Sequence, residues 1–567
     1  MNNKKNDIEK FQYHHIFNLI LGIFKFNEKK YGNFVKDTIR ILFEFEKNGE
    51  TIIDVDNSLI IFEMFEDGWP NKHIDILKNI GLIGLLNSPF VLKDRKLSLA
   101  KWSRKIERVI NSFLNKIDTN NIKNSIIYKD DKKIDQIKNI FKYSNLVFLQ
   151  GGPGTGKTTL IINLILELLR SDNFLNIGLS APTGKATARL KEALNDKKNI
   201  SFNKFLDQIE FQTLHRWILN SQNKSLKLKF KLKELDIFII DEMSMVNIDL
   251  TESVLSLLAK DCKIILVGDK NQLSPVNNCS IWNYLFEYGE NRAIKSCIVN
   301  LEKTYRNTGE IALISSLIFN NDCSLFNQKI KALEKDNNTK EVNISKSREK
   351  DIPKDLIFSI TSHLNKLNIS TSNLSKKKYI FDDGIDNLLL NEKDLVDKIF
   401  LDLQSQLILC EKNSGIWSVE HLNEIVFGQK KPYDLKTLNE GIPIMCTKNN
   451  NELGLSNGDI GVLIGLKNKR KYLFRKFNDN NEEIVVLIDP SNLENVVPAI
   501  AITIHKSQGS ESEKVSILWS KKYIRDQYAV KEQIDSENFF CKDNFERRLF
   551  YTAVTRAKKF LDIYYLN

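Results

Sequence analysis

LVFLQGGPGTGKTTLIINLILELL, residues 146–169, is the stretch that decides the fold of this 567-residue chain. A short apolar run leads into a glycine-rich turn, and a second apolar stretch long enough for a helix follows. Gly151, Gly156, Lys157 and Thr158 fill the pattern G-x-x-x-x-G-K-[ST]. In such a turn the backbone N–H groups point inward around phosphate oxygens, and the helix N-terminus adds positive potential. The segment therefore predicts a phosphate-binding loop between a buried strand and a helix.

Three more apolar runs follow this loop and end in polar or glycine residues: NIGLSAP, LDIFIIDE and CKIILVGD. Continuous β-rich runs that are separated by helical stretches indicate a parallel sheet covered on both faces. The polar residues at the ends of the runs are then expected at the carboxyl edge of the sheet, where α/β sheets bind ligands. The sequence thus predicts an α/β fold.

Length and composition set the limits of the interpretation. At ~100–200 residues per domain the chain has room for three or four domains, and 42% hydrophobic with 10% aromatic residues excludes a mainly disordered protein. The 83 basic and 72 acidic residues give a net charge of +11. A basic surface suits a polyanion such as nucleic acid. The chain is also rich in Lys, Asn, Ile and Phe, as A/T-biased codons would make it, so the charge favours nucleic acid only slightly.

Cysteine spacing and hydropathy point to a reducing compartment. The seven cysteines show no paired metal-binding spacing, and their odd number argues against a disulfide framework. The longest early apolar run, residues 16–24, is too short to span a bilayer, which takes ~20 residues. No small-residue cleavage site follows it. We therefore expect a soluble, cytoplasmic protein with no membrane contact.

The pattern along the chain predicts three domains. Residues 1–125 have apolar residues at helical spacing and no chemical motif, and a polar linker is expected over 115–133. Residues 126–325 form the first α/β domain and residues 326–567 the second. Within the second, residues 325–400 are interpreted as surface helices and loops. Alternation with turn signals predicts a small β-barrel inserted at about residues 440–500.

Two strand ends supply the residue types that phosphoryl chemistry needs. Asp241 ends the run IFIID and can ligate Mg²⁺ together with the Thr158 hydroxyl, while Glu242 can orient or deprotonate an attacking water. Lys157 is expected to reach the β- and γ-phosphates of a nucleotide. In IILVGDKNQLSPV the amide of Gln272 can touch both the γ-phosphate and that water. A solvated turn would be the ordinary interpretation of either segment alone.

Two arginines are candidates for stabilising the charge of the transition state. Arg306 lies in LEKTYRN and Arg556 in RRLFYTAVTRAKK. A guanidinium brought in from elsewhere in the fold accelerates phosphoryl transfer by about 10³–10⁵-fold. Because most arginines are surface cations, only the neighbouring motifs single out these two.

The motifs together resemble the superfamily 1 helicases. They occur in that family's order: GGPGTGKTT, SAPTGKATARL, IIDEMSM, GDKNQLSPV, LEKTYR, AITIHKSQGSE and YTAVTRAKK. Several segments, among them TLHRW, LCEKNSGIWSVEHLNEIV and NNELGLSNGDIGVLIG, are more narrowly similar to the RecD branch, whose members are alpha subunits of the RecBCD (exonuclease V) complex. The resemblance implies two RecA-like motor domains, an SH3-like character for the β insertion and a mainly helical N-terminal domain.

The same resemblance implies a role for individual residues. Gln136 would recognise adenine, Gln272 would sense the γ-phosphate, and Arg306 and Arg556 would contact that phosphate from the cleft. The nucleotide-binding loop would comprise Gly151, Gly152, Pro153, Gly154, Thr155, Gly156, Lys157, Thr158 and Thr159. The residues expected to contact DNA are Pro182, Thr183, Gly184, Thr503, His505, Lys506 and Gln508. Hydroxyl, amide and lysine groups suit phosphate contacts that carry no sequence information.

The implied function is an ATP- and Mg²⁺-dependent single-stranded-DNA translocase and helicase with 5′→3′ polarity. The resemblance further implies RecB- and RecC-like partners, contact of the N-terminal domain with the RecC-like subunit, and processing of double-strand DNA ends for recombinational repair. We find no nuclease-like carboxylate cluster, so nuclease activity is expected in the RecB-like partner. Two alternatives stay open: a structural subunit with a decayed ATPase, and a superfamily 1 RNA helicase.

Overall fold

A computed structural model gives the fold of residues 14–566, with gaps. The structure does not describe residues 48, 57–67, 120–132, 173, 196–206, 223–228, 276–279, 288–290, 304–308, 321, 336–340, 348–350, 378–391, 429–432, 434, 436, 451, 466–468, 478–482 and 521–543. The central part of the expected linker at 115–133 and Arg306 therefore lie outside the described residues. Three sheets of five or six strands and one of three strands organise the rest.

The N-terminal region is mainly helical, as predicted, but it also contains three short strands. A helix over residues 14–24 precedes α1 (Glu28–Lys47), β1 (Ile52–Asp54), α2 (Asn71–Asn79), β2 (Phe90–Lys93), β3 (Lys96–Leu99) and α3 (Ala100–Leu114). The strands form an antiparallel sheet in the order β1-β3-β2. At three or four residues each they are too short to show a period-2 pattern in sequence.

The phosphate-loop segment lies in a six-stranded parallel sheet in the order β6-β5-β7-β8-β4-β9. Its elements are α4 (Lys133–Ile140), β4 (Leu146–Gly151), α5 (Lys157–Ser171), β5 (Ile177–Ala181), α6 (Gly184–Asn195), β6 (Ile209–Thr213), α7 (Leu214–Gln222), β7 (Ile237–Ile240), α8 (Ile248–Leu257), β8 (Lys263–Gly268), α9 (Ile281–Glu287), α10 (Arg292–Ser296) and β9 (Ile298–Leu301). Every residue of β4, β5 and β7 is buried. Burial on both faces is what the continuous apolar runs predicted.

A second parallel sheet follows, with the strand order β10-β19-β18-β11-β17. Its elements are α11 (Glu310–Phe319), α12 (Cys323–Lys335), β10 (Val342–Ser347), α13 (Lys354–Ser375), α14 (Lys393–Ser405), β11 (Gln406–Cys410), α15 (Val419–Phe427), β17 (Ala501–Thr503), β18 (Ser512–Trp519), α16 (Asn544–Val554) and β19 (Ala557–Leu566). The two parallel sheets confirm the α/β fold class.

One expectation for residues 325–400 is wrong. This segment contains β10, which pairs with β19 and forms an edge of the second sheet, in addition to surface helices. An edge strand needs only one buried face, and β10 alternates buried Val342 and Ile344 with less buried residues. The polar positions that this alternation requires made the strand resemble a loop in sequence.

The β insertion is an antiparallel sheet with the order β15-β14-β13-β12-β16. Its strands are β12 (Pro443–Cys446), β13 (Ile460–Ile464), β14 (Lys471–Phe477), β15 (Glu483–Ile488) and β16 (Val496–Pro498). Among the described strands the edges β15 and β16 do not pair with each other, so the sheet is open rather than a closed barrel. Apolar clusters cover both of its faces, one of them shared with α13 and α14.

The hydrophobic cores show which elements pack together, and this grouping differs from the domain boundaries predicted from the sequence. The N-terminal helices and the first parallel sheet share one contiguous core. Ile311, Ile314 and Ile318 of α11 lie in the core of the second sheet, although they precede the predicted boundary at residue 325.

Cys262, Cys297, Cys410 and Cys446 are buried free thiols. No helix in the described part of the chain combines the length and hydropathy of a membrane span.

We predict that Gly461→Ala destabilises the β insertion. A Cβ on Gly461 would overlap the carbonyl oxygen of Leu473 and lie 2.7 Å from Phe474 Cδ1. Because a backbone atom of the neighbouring strand cannot move aside, we expect the free energy of unfolding to fall by about 1–3 kcal/mol. Urea denaturation followed by circular dichroism measures the change.

Gly22→Ala is the matched control, because a Cβ on Gly22 meets no atom within 4 Å and Gly22 lies in a helix. This variant should be neutral, or more stable by up to about 1 kcal/mol through helix propensity. Equal denaturation midpoints for the two variants would contradict the close approach of the strands at Gly461.

Candidate functional site

The glycine-rich loop between β4 and α5 needs glycine at several of its positions. Gly154 and Gly156 have φ angles of 73° and 82°, a region that favours glycine. A Cβ on Gly151 would lie 2.6 Å from Thr155 Oγ1 and 3.0 Å from Leu301 Cβ. The Thr155 hydroxyl donates to the Gly152 carbonyl at 2.8 Å and holds the loop closed. The sequence pattern is therefore a compact turn in front of a 15-residue helix.

Lys157 is turned back onto this loop. Its Nζ donates to the carbonyl oxygens of Gly151 at 2.7 Å and Gly152 at 2.9 Å. An ammonium group held by two neutral carbonyls can exchange them for the oxygens of a phosphate, which carry more negative charge. Thr158 is half-buried and Thr159 exposed on the first turn of α5. The loop therefore presents a cation, a hydroxyl and helix N–H groups at one point.

Asp241 and Glu242 follow β7, which β8 separates from β4 in the sheet, and the charge of Lys157 acts on Asp241. The Asp241 N–H donates to the Ser180 carbonyl at 2.8 Å, and Asp241 Oδ1 accepts from the Glu242 N–H at 2.8 Å. Burial raises the pKa of Asp241 to about 7, the charge of Glu242 adds to the rise, and Lys157 opposes it. Glu242 has a φ of 53°, an uncommon value for a non-glycine residue. The strand end thus places the Asp241 carboxylate in the field of Lys157, with the charge of Glu242 next to it.

Carboxylate and hydroxyl oxygens are the ligands that Mg²⁺ prefers in proteins. The Asp241 side chain is 8% exposed and its pKa is raised by desolvation, so a cation beside it would offset the cost of burial. Thr158 is one residue after Lys157, which already acts electrostatically on Asp241. The donor set at this position therefore fits a magnesium ion.

A third strand end, after β8, adds a buried turn. Asp269 is fully buried; its Oδ1 accepts from the Asn271 N–H at 3.0 Å, and its carbonyl accepts from the Gln272 N–H at 3.2 Å. Burial raises the pKa of Asp269, and the charge of Lys157 opposes the rise. Gln272 is 3% exposed, and its Oε1 accepts no hydrogen bond from the described residues. A buried amide oxygen without a partner is costly unless a ligand or water satisfies it.

Arg556 reaches the same group of carboxylates from the far end of the chain. It is 3% exposed, and its guanidinium donates to the Thr552 carbonyl at 3.0 Å and the Ser510 carbonyl at 3.3 Å. Burial lowers the pKa of Arg556, while the charges of Glu242, Glu511 and Asp269 oppose this. The charges of Lys157 and Arg556 therefore both act on Asp269, although 399 residues, 556 − 157, separate them in sequence.

Two further residues, Gln136 and Arg306, are predicted to contact the nucleotide. Gln136 is half-buried on α4, which packs against β4, β9 and α5 beside the phosphate loop. Its position is compatible with the expected adenine contact, and that role stays a prediction. Arg306 lies outside the described residues, so its role also stays a prediction.

The residues expected to contact DNA meet where the two parallel sheets approach each other. Thr183 Oγ1 accepts from the Ala186 N–H at 3.2 Å and caps α6, which begins at Gly184. A Cβ on Gly509 would lie 3.9 Å from Thr183 Oγ1, and a Cβ on Gly184 would lie 3.2 Å from Ser456 Oγ. Pro182 precedes this turn and is half-buried. Loops of both sheets and of the β insertion thus converge here.

The second group follows β17 in a short 3₁₀ turn, Ile504–Ser507. Thr503 is half-buried and Lys506 exposed. His505 stacks on Phe545 with ring centroids 6.0 Å apart, and burial lowers its pKa, so the imidazole is neutral at pH 7. Gln508 Nε2 donates to the Leu273 carbonyl at 3.2 Å. In this conformation Gln508 therefore contacts the first sheet.

Sequence reasoning missed two links across the site. Tyr551 Oη donates to Asp269 Oδ2 at 3.1 Å, and Arg189 of α6 lies 3.9 Å from Glu511. Both tyrosine and aspartate stand inside motifs that were recognised, YTAVTRAKK and GDKNQLSPV. Their positions in these motifs place both residues close in sequence to predicted site residues, but nothing in the sequence indicates that Tyr551 and Asp269 contact each other.

Comparisons with known proteins agree with the motif order. A family model described as an AAA domain matches residues 136–278, so this part of the chain is a nucleotide-binding domain. The chain is 29% identical over 546 residues to RecBCD enzyme subunit RecD of Buchnera aphidicola subsp. Schizaphis graminum, covering 85% of this chain and 82% of that protein. It is 27% identical to the RecD subunit of Haemophilus influenzae, covering 73% and 66%. The resemblance to RecD is thereby confirmed over most of the chain.

Two further similarities are more local or more distant. Over 132 residues, 23% of this chain and 16% of that protein, the chain is 34% identical to the ATP-dependent RecD2 DNA helicase of Deinococcus radiodurans. A crystal structure of Bacteroides Pif1 bound to single-stranded DNA aligns with 77% of this chain and 92% of its own, at 18% identity and a TM-score of 0.39.

We predict that Gly151→Ala impairs nucleotide binding. The added Cβ would force Thr155 Oγ1 or Leu301 to move, and the loop amides would move with them. We expect nucleotide affinity to fall by roughly tenfold or more, equivalent to about 1.4 kcal/mol. Titration with a fluorescent ATP analogue measures the affinity. Gly22→Ala should bind as tightly as the wild type, and wild-type affinity in Gly151→Ala would show that the crowded loop is not the binding site.

Proposed function

We propose that this chain, related over most of its length to proteins named RecBCD enzyme subunit RecD, is the ATP-driven DNA helicase subunit of a RecBCD-like helicase–nuclease. The observation that carries the proposal is the position of Lys157 and Arg556. Both act on the buried carboxylate of Asp269, although they come from opposite ends of the α/β region. A nucleotide held between them would connect the two parallel sheets, which is the arrangement a motor requires.

In the proposed reaction Lys157 leaves the loop carbonyls and binds the β- and γ-phosphates of ATP. Thr158 and Asp241 would hold Mg²⁺, which neutralises charge on those phosphates when it is bound. The rest of the loop, from Gly151 to Thr159, contributes backbone N–H groups. Gln136 would select adenine from its position on α4.

Glu242 is the proposed general base. The charge of Arg556 acts on it, and its strained backbone fixes its direction at the strand end. Gln272 would use its unpartnered Oε1 to orient the attacking water. Arg556, with Arg306 as the second arginine, would stabilise the negative charge that develops on the γ-phosphoryl group.

Coupling to DNA is proposed to run through the loops around Thr183 and Gln508. Their hydroxyl, amide and lysine groups would contact phosphates without reading sequence. Gln508 already contacts the turn that carries Gln272 through the Leu273 carbonyl. A change at the γ-phosphate would thus alter how the contact residues Pro182, Thr183, Gly184, Thr503, His505, Lys506 and Gln508 hold a single strand. By its relation to RecD we propose 5′→3′ movement.

The proposed partners are RecB- and RecC-like chains, because the related proteins are named as subunits of the RecBCD enzyme. The N-terminal region, residues 1–125, is proposed to contact the RecC-like subunit, and the RecB-like subunit to carry the nuclease. The assembled enzyme would process double-strand DNA ends for homologous recombination, in the cytoplasm with its DNA.

We predict that Lys157→Gln abolishes DNA-stimulated ATP hydrolysis of the assembled complex while the chain still folds and assembles. The hydrogen bonds of the Lys157 side chain go to carbonyls of the loop itself. Loss of its charge should lower the rate by about 10²–10³-fold or more. Steady-state phosphate release with and without single-stranded DNA measures this rate.

Arg170→Gln is the matched control, since Arg170 is an exposed cation on the same helix. It should hydrolyse ATP at the wild-type rate. Retained activity in Lys157→Gln would refute the assignment of the phosphate loop. Equal stimulation of the wild type by single-stranded RNA would refute DNA as the selected polymer, and no stimulation by either would indicate a structural subunit.

Arg556→Lys tests the cross-sheet arrangement itself. The charge is kept, but a lysine cannot form the guanidinium contacts with Thr552 and Ser510 that hold the group beside Glu242. We expect kcat for ATP hydrolysis to fall by at least ~10²-fold with nucleotide affinity within about twofold of wild type. Lys558→Arg, at an exposed position two residues later, is the control and should leave kcat unchanged. Unchanged kcat in Arg556→Lys would contradict a role of Arg556 in the reaction.

A further inference from the structure

The Tyr551 hydroxyl lies against the phosphate loop at Gly152, where the loop has no side chain. The residue is 3% exposed on α16, and its hydroxyl donates to Asp269 Oδ2 at 3.1 Å. A Cβ on Gly152 would lie only 2.9 Å from Tyr551 Oη. A phenol hydroxyl from the second sheet thus lies against the phosphate loop of the first, and no side chain at residue 152 separates them.

The group that Tyr551 holds determines the shape of a turn. Asp269 Oδ1 accepts from the Asn271 N–H, and the Asp269 carbonyl accepts from the Gln272 N–H. The rotation of the carboxylate and the course of the backbone to Gln272 are therefore coupled. With Oδ2 fixed by Tyr551, neither oxygen can rotate away from this turn.

The other end of the turn is also held by the second sheet. The Leu273 N–H donates to Thr552 Oγ1 at 3.3 Å, and the Leu273 carbonyl accepts from Gln508 Nε2 at 3.2 Å. The Leu273 side chain is fully buried in the core of the second sheet. Residues 269–273 belong to the first sheet by sequence but are anchored at both ends by the second.

We propose that Tyr551 is a positioning residue for ATP hydrolysis: its hydroxyl fixes Asp269 and thereby the turn that places the Gln272 amide. The inference rests on the proposed function. Burial and the charge of Asp269 raise the pKa of Tyr551 well above its usual value, so the hydroxyl remains a donor at every working pH. Because Tyr551 acts through Asp269 and Gln272, its loss should slow the chemical step more than it weakens ATP binding.

The test is Tyr551→Phe in the assembled complex, with DNA-stimulated ATP hydrolysis measured over a range of ATP concentrations. The variant removes one oxygen and keeps the ring in its core. We expect kcat to fall about tenfold or more while KM for ATP stays within about twofold, the pattern for an interaction that matters in the transition state.

Tyr564→Phe is the control variant. Tyr564 is 4% exposed and donates to Asp355 Oδ2 at 3.0 Å, a matched bond in the same half of the chain but away from Asp269. It should keep wild-type kcat and KM. Wild-type kcat in Tyr551→Phe, or an equal loss in both variants, would overturn the proposal, the second because it would indicate a general effect of losing a buried hydroxyl.

A double-mutant cycle with Asp269→Asn separates positioning from a structural role. If Tyr551 acts through Asp269, adding Tyr551→Phe to Asp269→Asn should change kcat far less than it changes the wild type. Fully multiplicative effects would overturn the proposal. A wild-type complex that does not hydrolyse ATP with DNA would instead refute the proposed function, and the positioning role with it. Active wild type with unaffected Tyr551→Phe would refute the positioning role alone.

Discussion

The structure around the phosphate loop depends on charges that are buried between two sheets and must neutralise one another. Asp241 and Asp269 are buried at adjacent strand ends, and Lys157 acts on both. A carboxylate without a counter-charge at such a depth would be protonated or strongly destabilising. Burial still raises the pKa of Asp241, although the charges of Lys157 and of Arg189 on α6 oppose the rise. The second sheet adds Arg556, whose charge acts with Glu242 and Asp269, and the Tyr551 hydroxyl, which donates to Asp269. The buried carboxylates of the site are therefore balanced by groups that come from both sheets.

The sequence predicted those features of the fold and the site whose residues all lie in one continuous segment. The phosphate loop is recognisable from its own glycines and Lys157. The buried strands β4, β5 and β7 are recognisable from their apolar runs. The edge strand β10 was missed because its buried residues, Val342 and Ile344, alternate with exposed and half-buried polar ones. The bond between Tyr551 and Asp269 joins residues 282 positions apart. A contact between residues so far apart leaves no periodic or spacing pattern in the sequence. Only the structure shows which residues of the motifs are in contact.

The N-terminal region is joined to the motor sheets in a way its sequence does not suggest. Arg108 of α3 pairs with Glu252 of α8, and Lys105 pairs with Asp249 one turn away. Lys116 donates to the Ala259 and Lys260 carbonyls just beyond the C-terminus of α8, where a cation is favourable. Burial lowers the pKa of Lys116, a half-buried residue. Together with the shared core, these contacts make the region a part of the first sheet's body rather than a tethered module.

The same region also acts electrostatically on a helix of the second sheet. The charge of Glu50, in the turn after α1, acts on Arg548, and Arg548 is also within the field of Asp269. Arg548 lies on α16, three residues before Tyr551, so both side chains project from one face of that helix. A shift of the α1–β1 turn would change the charge environment of α16 at the point where it holds Asp269. The N-terminal region thus acts electrostatically on the helix that carries Tyr551 and Arg556's neighbour Thr552.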